Sequence, residues 1–257
     1  SMRYTVVAET DIGIRKNINQ DSVLVKHAET ELGEILLAVV CDGMGGLDKG
    51  ELASATVIRS FATWFEQELP KELVHLDFTV IAQKWELMIR ELNTKMGIYG
   101  QRQRVQLGTT VTAILCVGDK YLTLHVGDTR LYFLDETTIR QMTTDHTFIA
   151  REIKRGTMTL EQAKVDKRRN MLLQCVGASA QVEPEMLYGN IKSGIFLLCS
   201  DGFRHEIGEA EMFQTLHASV LKDQKTMKTQ LHHLIELVKQ RQERDNISAI
   251  LVKIDGR

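Results

Sequence analysis

The stretch Glu34-Ile-Leu-Leu-Ala-Val-Val-Cys-Asp42-Gly43-Met44-Gly45-Gly46 passes from an unbroken apolar segment into an aspartate and then into glycines. Strands that expose one face to water alternate apolar and polar residues, so an unbroken apolar strand predicts burial on both faces. An aspartate at the end of such a strand packs poorly, but its carboxylate is well placed to hold a cation. The following glycine allows other groups to approach the backbone closely.

A second stretch, Gly194-Ile-Phe-Leu-Leu-Cys-Ser-Asp201-Gly202, has the same design. Asp-Gly is also a common turn, so one copy alone leaves a turn and a cation site about equally supported. Two further aspartates, Asp128 and Asp245, are expected at the ends of apolar strands in the same way, and Asp21 stands just before a strand. The repetition favours a shared metal centre.

Several carboxylates at one rim would repel each other, and their pKa values would rise unless cations bound there. Oxygen ligands without clustered cysteine or histidine suit Mg²⁺ or Mn²⁺ better than Zn²⁺. A carboxylate shared by two ions offsets part of their mutual repulsion, and Asp42 is the candidate bridge. Arg15 and Lys16 precede Asp21 at a distance that suits a phosphate-binding cation.

Length and composition are those of one globular domain. The chain has 257 residues, of which 43% are hydrophobic and 26% are charged. A net charge of -2 argues against general nucleic-acid or membrane-surface binding, and no apolar run approaches the roughly 20 residues of a membrane span. The four cysteines lack CxxC spacing and fit the role of small hydrophobes. We therefore expect a cytoplasmic, monomeric protein with no nucleic-acid or membrane partner.

Periodicity predicts an α+β architecture, in which two antiparallel β-sheets pack as a sandwich that is flanked on both sides by helix pairs. Predicted strands are Tyr4–Ala8, Ser22–Lys26, Ile35–Cys41, Thr109–Val117, Tyr121–Val126, Leu131–Leu134, Thr138–Met142, Glu185–Tyr188, Ile195–Ser200 and Ile247–Ile254. One predicted helix begins near Asp48. The other predicted helical segments are Phe78–Met96, Phe148–Arg169, Glu209–Leu221 and Thr226–Gln242. No linker or repeat divides the chain, so residues 1–257 are expected to form one domain.

These motifs resemble, in order and over nearly the whole chain, the metal-dependent Ser/Thr protein phosphatases of the 2C type (the PPM family), especially the bacterial members. The matching pieces are Asp11-Ile-Gly, Asn19-Gln-Asp-Ser22, Asp42-Gly-Met-Gly-Gly46, Gly108-Thr-Thr110, Val126-Gly-Asp-Thr-Arg130, Thr144-Asp-His146, Cys199-Ser-Asp-Gly202 and Arg244-Asp-Asn246. The resemblance implies a β-sandwich with the metal centre at one end. It also implies a variable flap at about residues 147–174.

The resemblance further implies a role for each acidic position. Asp42 would be shared by two metal ions, and the Gly43 carbonyl would serve the second. Asp201 and Asp245 would complete the ligands of the first ion, and Asp21 would act through metal-bound water. Asp128 with Asp201 resembles the pair that holds a third, weaker ion. Asp42, Asp201 and Asp245 are therefore the expected catalytic residues, with Mn²⁺ or Mg²⁺ as the cofactor.

Three positions depart from patterns seen in the family. Met44 stands where eukaryotic members have histidine, which leaves the proton donor to the leaving group open, and Gln20 stands where some members have glutamate. Lys16 occupies the usual place of the phosphate-binding arginine, with Arg15 one residue earlier. Because lysine lacks the bidentate fork of arginine, the phosphate role stays open between Arg15 and Lys16.

The implied reaction is hydrolysis of phosphoserine or phosphothreonine in protein substrates of a Ser/Thr kinase, by attack of metal-activated water. Two alternatives differ in class. One is a phosphatase of a small phosphorylated metabolite, since the metal centre recognises only the phosphoryl group. The other is a pseudophosphatase that binds phosphoproteins without turnover, which the presence of every expected aspartate disfavours.

Overall fold

The structure is a computed structural model that describes residues 1–256, so Arg257, the last residue of the expected domain, lies outside the described residues. Two antiparallel sheets form its centre. One has the strand order β1-β11-β10-β7-β8, and the other has β2-β3-β5-β6-β9, with β4 paired to β3. The strands are β1 Met2–Asp11, β2 Asp21–Thr30, β3 Gly33–Gly45, β4 Leu107–Thr109, β5 Val111–Val117, β6 Lys120–Val126, β7 Arg130–Leu134, β8 Ile139–Gln141, β9 Glu185–Asn190, β10 Gly194–Cys199 and β11 Ile247–Gly256.

Helices cover the outer face of each sheet. The α-helices of the described residues are α1 Lys49–Thr63, α2 Leu69–Glu72, α3 Phe78–Gln103, α4 Phe148–Arg155, α5 Leu160–Val165, α6 Asp201–Arg204, α7 Glu209–Leu216 and α8 Gln224–Gln240. Helices α1 and α3 pack on the sheet that contains β3, and α7 and α8 pack on the sheet that contains β10. The predicted sandwich with flanking helix pairs is confirmed.

Strand β3 shows why its sequence is apolar without alternation. Ile35, Leu37 and Val39 face the cluster that α1 and α3 cover, whereas Leu36 and Ala38 face the opposite sheet. All five side chains are fully buried. Strand β10 is likewise buried on both faces. Both faces of a central strand are core, which is the reason for the unbroken apolar run.

The sheet register brings the functional strand ends to one end of the sandwich. The end of β3 lies beside the start of β5, where Val40 pairs with Thr112, and β5 starts opposite the end of β6. In the other sheet the end of β10 lies beside the start of β11, where Cys199 pairs with Ala249. Asp21 is the first residue of β2, Asp42 lies in the last part of β3, and Asp201 is the first residue of the helix that follows β10. Asp128 and Asp245 lie in the connections that precede β7 and β11.

Four predicted helical segments differ in extent from the structure, and in one of them, Thr226–Gln242, the helix observed is Gln224–Gln240. The segment 148–169 contains two short helices, because Gly156 ends α4 in a left-handed conformation and Thr159 starts α5 with a capping box. Helix α3 continues seven residues beyond Met96, to Gln103. Helix α7 ends at Leu216 rather than at Leu221. None of the helices within residues 1–256 is long and apolar enough to cross a membrane.

Candidate metal centre

Asp21 and Asp42 lie opposite each other at one end of the β2–β3 ladder. Burial, together with the neighbouring Asp245, raises the pKa of Asp21 to about 7. Burial also raises the pKa of Asp42, and Asp21, Asp245, Asp128 and Asp201 add to the shift. All five predicted aspartates therefore act on one another electrostatically at this rim.

The Asp42-Gly43 turn is held by close backbone packing. The Gly43 N–H donates to the Gln20 carbonyl at 3.0 Å, and the Thr110 N–H donates to the Asp42 carbonyl at 3.0 Å. A Cβ at Gly43 would lie 2.0 Å from the carbonyl oxygen of Gly50 in α1. Only glycine fits here, which explains the residue that follows Asp42.

The Asp201-Gly202 turn is packed against the start of β11 in a similar way. A Cβ at Gly202 would lie 2.0 Å from the Asn246 carbonyl oxygen. The Asn246 side chain donates to the carbonyls of Ile12 and Ile18, and its Oδ1 accepts from the Gln20 N–H at 3.0 Å. Asn246 therefore ties the loop before Asp21 to the turn that carries Asp245.

Asp128 lies between β6 and β7, above a buried polar chain. Thr112 Oγ1 lies 2.9 Å from His125 Nδ1 and 2.7 Å from Thr129 Oγ1, and His125 Nε2 lies 2.8 Å from the Thr144 carbonyl. Burial lowers the pKa of His125 to about 3, so the ring is neutral. Nε2 then donates to the carbonyl and Nδ1 accepts from Thr112. His125 is a satisfied core residue that supports the turn.

His146 also has structural partners. Its Nδ1 accepts a hydrogen bond from the Gly127 N–H at 3.0 Å, and the Gln174 side chain lies 3.1 Å from the same atom. Burial lowers the pKa of His146. The ring fixes the turn beside Asp128 and receives no role in proton transfer.

Arg204 is a contact residue that the sequence interpretation missed. Its Nη2 forms an ion pair with Asp201 Oδ1 at 3.1 Å and donates a hydrogen bond to the backbone carbonyl of Asp128 at 3.0 Å. Asp145 lies 3.9 Å away and is held mainly by Arg130 through two hydrogen bonds of 2.9 and 2.5 Å. The spacing of three residues between Asp201 and Arg204 could have indicated this pair.

The two candidate phosphate-binding cations are both exposed in the loop before Asp21. Lys16 lies close enough to Asp245 to lower the pKa of that carboxyl, against the larger opposing effect of burial. Arg15 is not among the main influences on the pKa of Asp245.

The residues present fit divalent cations. Asp21 Oδ1 is buried without a hydrogen-bond partner, which is costly for a carboxylate unless a ligand engages it. The donors are carboxylates and the Gly43 carbonyl, which suit hard ions. Within residues 1–256, one group of three side chains outside these aspartates has its potential ligand atoms within 4.8 Å of one another. This trio is His205, Glu206 and Glu243. The aspartates do not form such a trio, because without bound cations their carboxylates repel one another.

The trio has a simpler explanation. His205 Nδ1 lies 3.6 Å from Glu243 Oε2, and this contact raises the pKa of His205 to about 9. A protonated histidine beside a carboxylate is an ion pair. The pair accounts for the cluster without a metal ion.

Comparison with known proteins identifies the family. The sequence model of the protein phosphatase 2C family matches residues 14–236. The serine/threonine phosphatase stp of Listeria innocua is 29% identical over 222 residues, which cover 84% of each chain. The chain belongs to the protein phosphatase 2C family, and the predicted resemblance is confirmed.

Solved structures agree with this assignment. A serine/threonine phosphatase of S. agalactiae superposes with a TM-score of 0.85 at 28% identity, covering 98% of this chain and 100% of that one. The catalytic domain of PstP, in complex with two manganese ions, gives a TM-score of 0.80 at 26% identity and covers both chains completely. The predicted fold class is confirmed by these neighbours.

Proposed function

We propose that this chain is a metal-dependent protein serine/threonine phosphatase that hydrolyses phosphoserine and phosphothreonine in other proteins. The observation that carries the proposal is the convergence of five aspartates on one rim, where burial and mutual repulsion raise the pKa values of Asp21, Asp42, Asp128 and Asp245. The names of its relatives support the same function and favour neither alternative. A pseudophosphatase would not need to retain such a costly cluster.

We assign the roles of the acidic residues as follows. Asp42 would be shared by two divalent ions, the Gly43 carbonyl would serve the second, and Asp201 and Asp245 would complete the ligands of the first. Asp21 would act through metal-bound water. When bound, the cations would supply an activated water and neutralising charge for the phosphoryl oxygens. Asp42, Asp201 and Asp245 are the catalytic residues in this scheme because they hold that arrangement in place.

Lys16 is our choice for the residue that holds the substrate phosphate. It is exposed, it belongs to the loop that Asn246 anchors, and it lies within electrostatic range of Asp245. A compact ammonium group suits a single phosphoryl oxygen. Arg15, also exposed on this loop, is the alternative.

Mn²⁺ is our first choice of metal, because a PstP structure contains two manganese ions; Mg²⁺ is chemically equivalent for this donor set. We propose that residues 1–257 act as one monomeric domain in which residues 147–174 form a flap. A bridge between Thr147 and Leu172 closes the base of that segment. All four cysteines are free, which fits a reducing, cytoplasmic compartment. Its partners would be protein substrates of a Ser/Thr kinase.

The test is hydrolysis of a phosphothreonine peptide with Mn²⁺ and with a chelator, in the wild type and in Asp201→Asn. We expect turnover only in the wild type with metal. Asp119→Asn, in an exposed hairpin turn, is the matched control and should keep full activity. Turnover that survives both chelation and Asp201→Asn would contradict the proposal. Faster hydrolysis of small phosphate esters than of phosphopeptides would favour a metabolite phosphatase, and metal binding without any turnover would favour a binding module.

A further inference from the structure

Arg204 places a fixed positive charge between two of the site's aspartates. Helix α6 is a single turn, so the side chain of Arg204 folds back onto Asp201 three residues earlier. Its Nη2 forms an ion pair with Asp201 Oδ1 at 3.1 Å and donates a hydrogen bond to the Asp128 backbone carbonyl at 3.0 Å. Only 12% of the side chain is exposed, so the guanidinium cannot swing freely into solvent.

Asp201 is the carboxylate that lies nearest to the Arg204 guanidinium, at 3.1 Å. Asp145, the third carboxylate nearby, is already held by Arg130 through two hydrogen bonds and lies 3.9 Å from Arg204 Nη2. Asp201 raises the pKa of Asp128, and Arg204 opposes that rise. The Asp128–Asp201 pair thus has a built-in counter-charge.

We infer that Arg204, rather than a third metal ion, neutralises the Asp128–Asp201 pair, so that this site holds two divalent ions. The inference rests on the proposed metal-dependent function of the same site. The guanidinium occupies one direction of approach to Asp201 Oδ1, and it would repel any cation that both aspartates held. Arg204 is a positioning residue in this scheme, because it acts through the carboxylates and does not touch the substrate.

The experiment counts Mn²⁺ ions by isothermal titration calorimetry and by equilibrium dialysis at millimolar Mn²⁺. We expect two equivalents in the wild type and three in Arg204→Gln, the third being weak. Asp128→Asn added to Arg204→Gln should return the count to two. Arg204→Lys, which keeps the charge, should stay at two. Arg90→Gln breaks a surface pair with Glu86 on α3 and serves as the matched control without any change in count.

Several results would overturn the inference. Three equivalents in the wild type, or only two in a folded Arg204→Gln, would show that the arginine does not exclude an ion. If Arg204→Gln does not fold, Asp128→Asn in the wild-type background decides: loss of one equivalent overturns the inference, and an unchanged count supports it. No Mn²⁺ binding by any variant would overturn the proposed function as well, whereas three wild-type equivalents overturn this inference alone.

Discussion

Ser248 in β11 donates a hydrogen bond to Asp21 at the start of β2, and the Ser248 Oγ to Asp21 Oδ2 distance is 2.7 Å. The two residues belong to different sheets, so the bond crosses the sandwich. Ser248 in turn lies 2.7 Å from Thr10 Oγ1, which accepts from the Asn19 side chain at 2.8 Å. Since the carboxylate can only accept when ionised, the donors run from Asn19 through Thr10 and Ser248 to Asp21. This chain fixes Oδ2 and leaves Oδ1 free for a ligand.

Ser248→Ala should therefore weaken metal binding more than it weakens the fold. The change removes the donor to Asp21, and loss of such a supporting hydrogen bond typically costs about tenfold or more in metal affinity. We expect the Mn²⁺ concentration for half-maximal activity to rise by about that factor, with a smaller change at saturating Mn²⁺. Thr10→Val, which removes only the preceding donor, should have a weaker effect. Equal Mn²⁺ dependence in Ser248→Ala and wild type would contradict this role.

Gly43→Ala should unfold or strongly destabilise the protein. The new Cβ would lie 2.0 Å from the Gly50 carbonyl oxygen and 2.8 Å from that of Gln20, so β3 and α1 would have to separate. Overpacking of this kind costs about 2 kcal/mol or more of unfolding free energy. Gly46→Ala is the matched control, because a Cβ at Gly46 meets no atom within 4 Å. Chemical denaturation of both variants measures the difference, and similar midpoints would refute the packing argument.

The features that the sequence predicted are those with a local signal. Unbroken apolar runs such as Ile35–Cys41 indicate double burial, and glycine turns after Asp42 and Asp201 indicate their positions at strand ends. The gap in the segment 148–169 also had a local signal, since Gly156 and Thr159 are typical helix-ending and helix-starting residues. That signal was missed because the polar composition of the segment suggested one continuous helix.

Other features depend on how distant segments pack, and no local pattern predicts them. The Ser248–Asp21 contact joins residues 227 positions apart. The Asn246 side chain reaches the carbonyls of Ile12 and Ile18 only because β1 and β11 are neighbours. The motif Arg244-Asp-Asn246 could be recognised by its resemblance, but the anchoring role of its asparagine emerges only from the folded chain.

The chelated protein should become less stable as pH rises through 7. Burial raises the pKa of Asp128 to about 7 in the folded chain, whereas the ordinary value is 3.8. Between these values the folded chain holds a proton that the unfolded chain has lost, so stability is greatest at low pH and falls as the carboxyl ionises. The pKa of Asp21 is raised in the same direction, so its ionisation also lowers stability as pH rises. We expect the melting temperature in EDTA to drop by a few degrees between pH 6.5 and pH 8.

His125 has the opposite effect on stability at lower pH. Its pKa is about 3 in the folded chain against an ordinary 6.5, so it favours unfolding as pH falls below 6.5. Asp128→Asn should flatten the dependence of stability on pH between pH 6.5 and pH 8. It should also raise the free energy of unfolding of the chelated protein at pH 8 by about 1–2 kcal/mol, a value lowered to allow for the partial solvent exposure of Asp128. Excess Mn²⁺ should reverse the wild-type slope. A melting temperature in EDTA that rises with pH would contradict the prediction.

Lys16→Ala should impair turnover more than Arg15→Ala. Lys16 acts electrostatically on Asp245 and so lies within reach of a phosphoryl group bound at the rim, whereas Arg15 is not among the main influences on the pKa of Asp245. Loss of a charge-assisted phosphate contact costs about 2–3 kcal/mol, so kcat/KM for a phosphothreonine peptide should fall by about 30- to 160-fold. Lys16→Arg should restore most of the activity, because the charge is kept. Manganese stoichiometry should be unchanged in all three variants, which separates phosphate binding from metal binding. A larger loss in Arg15→Ala than in Lys16→Ala would reassign the phosphate contact to Arg15.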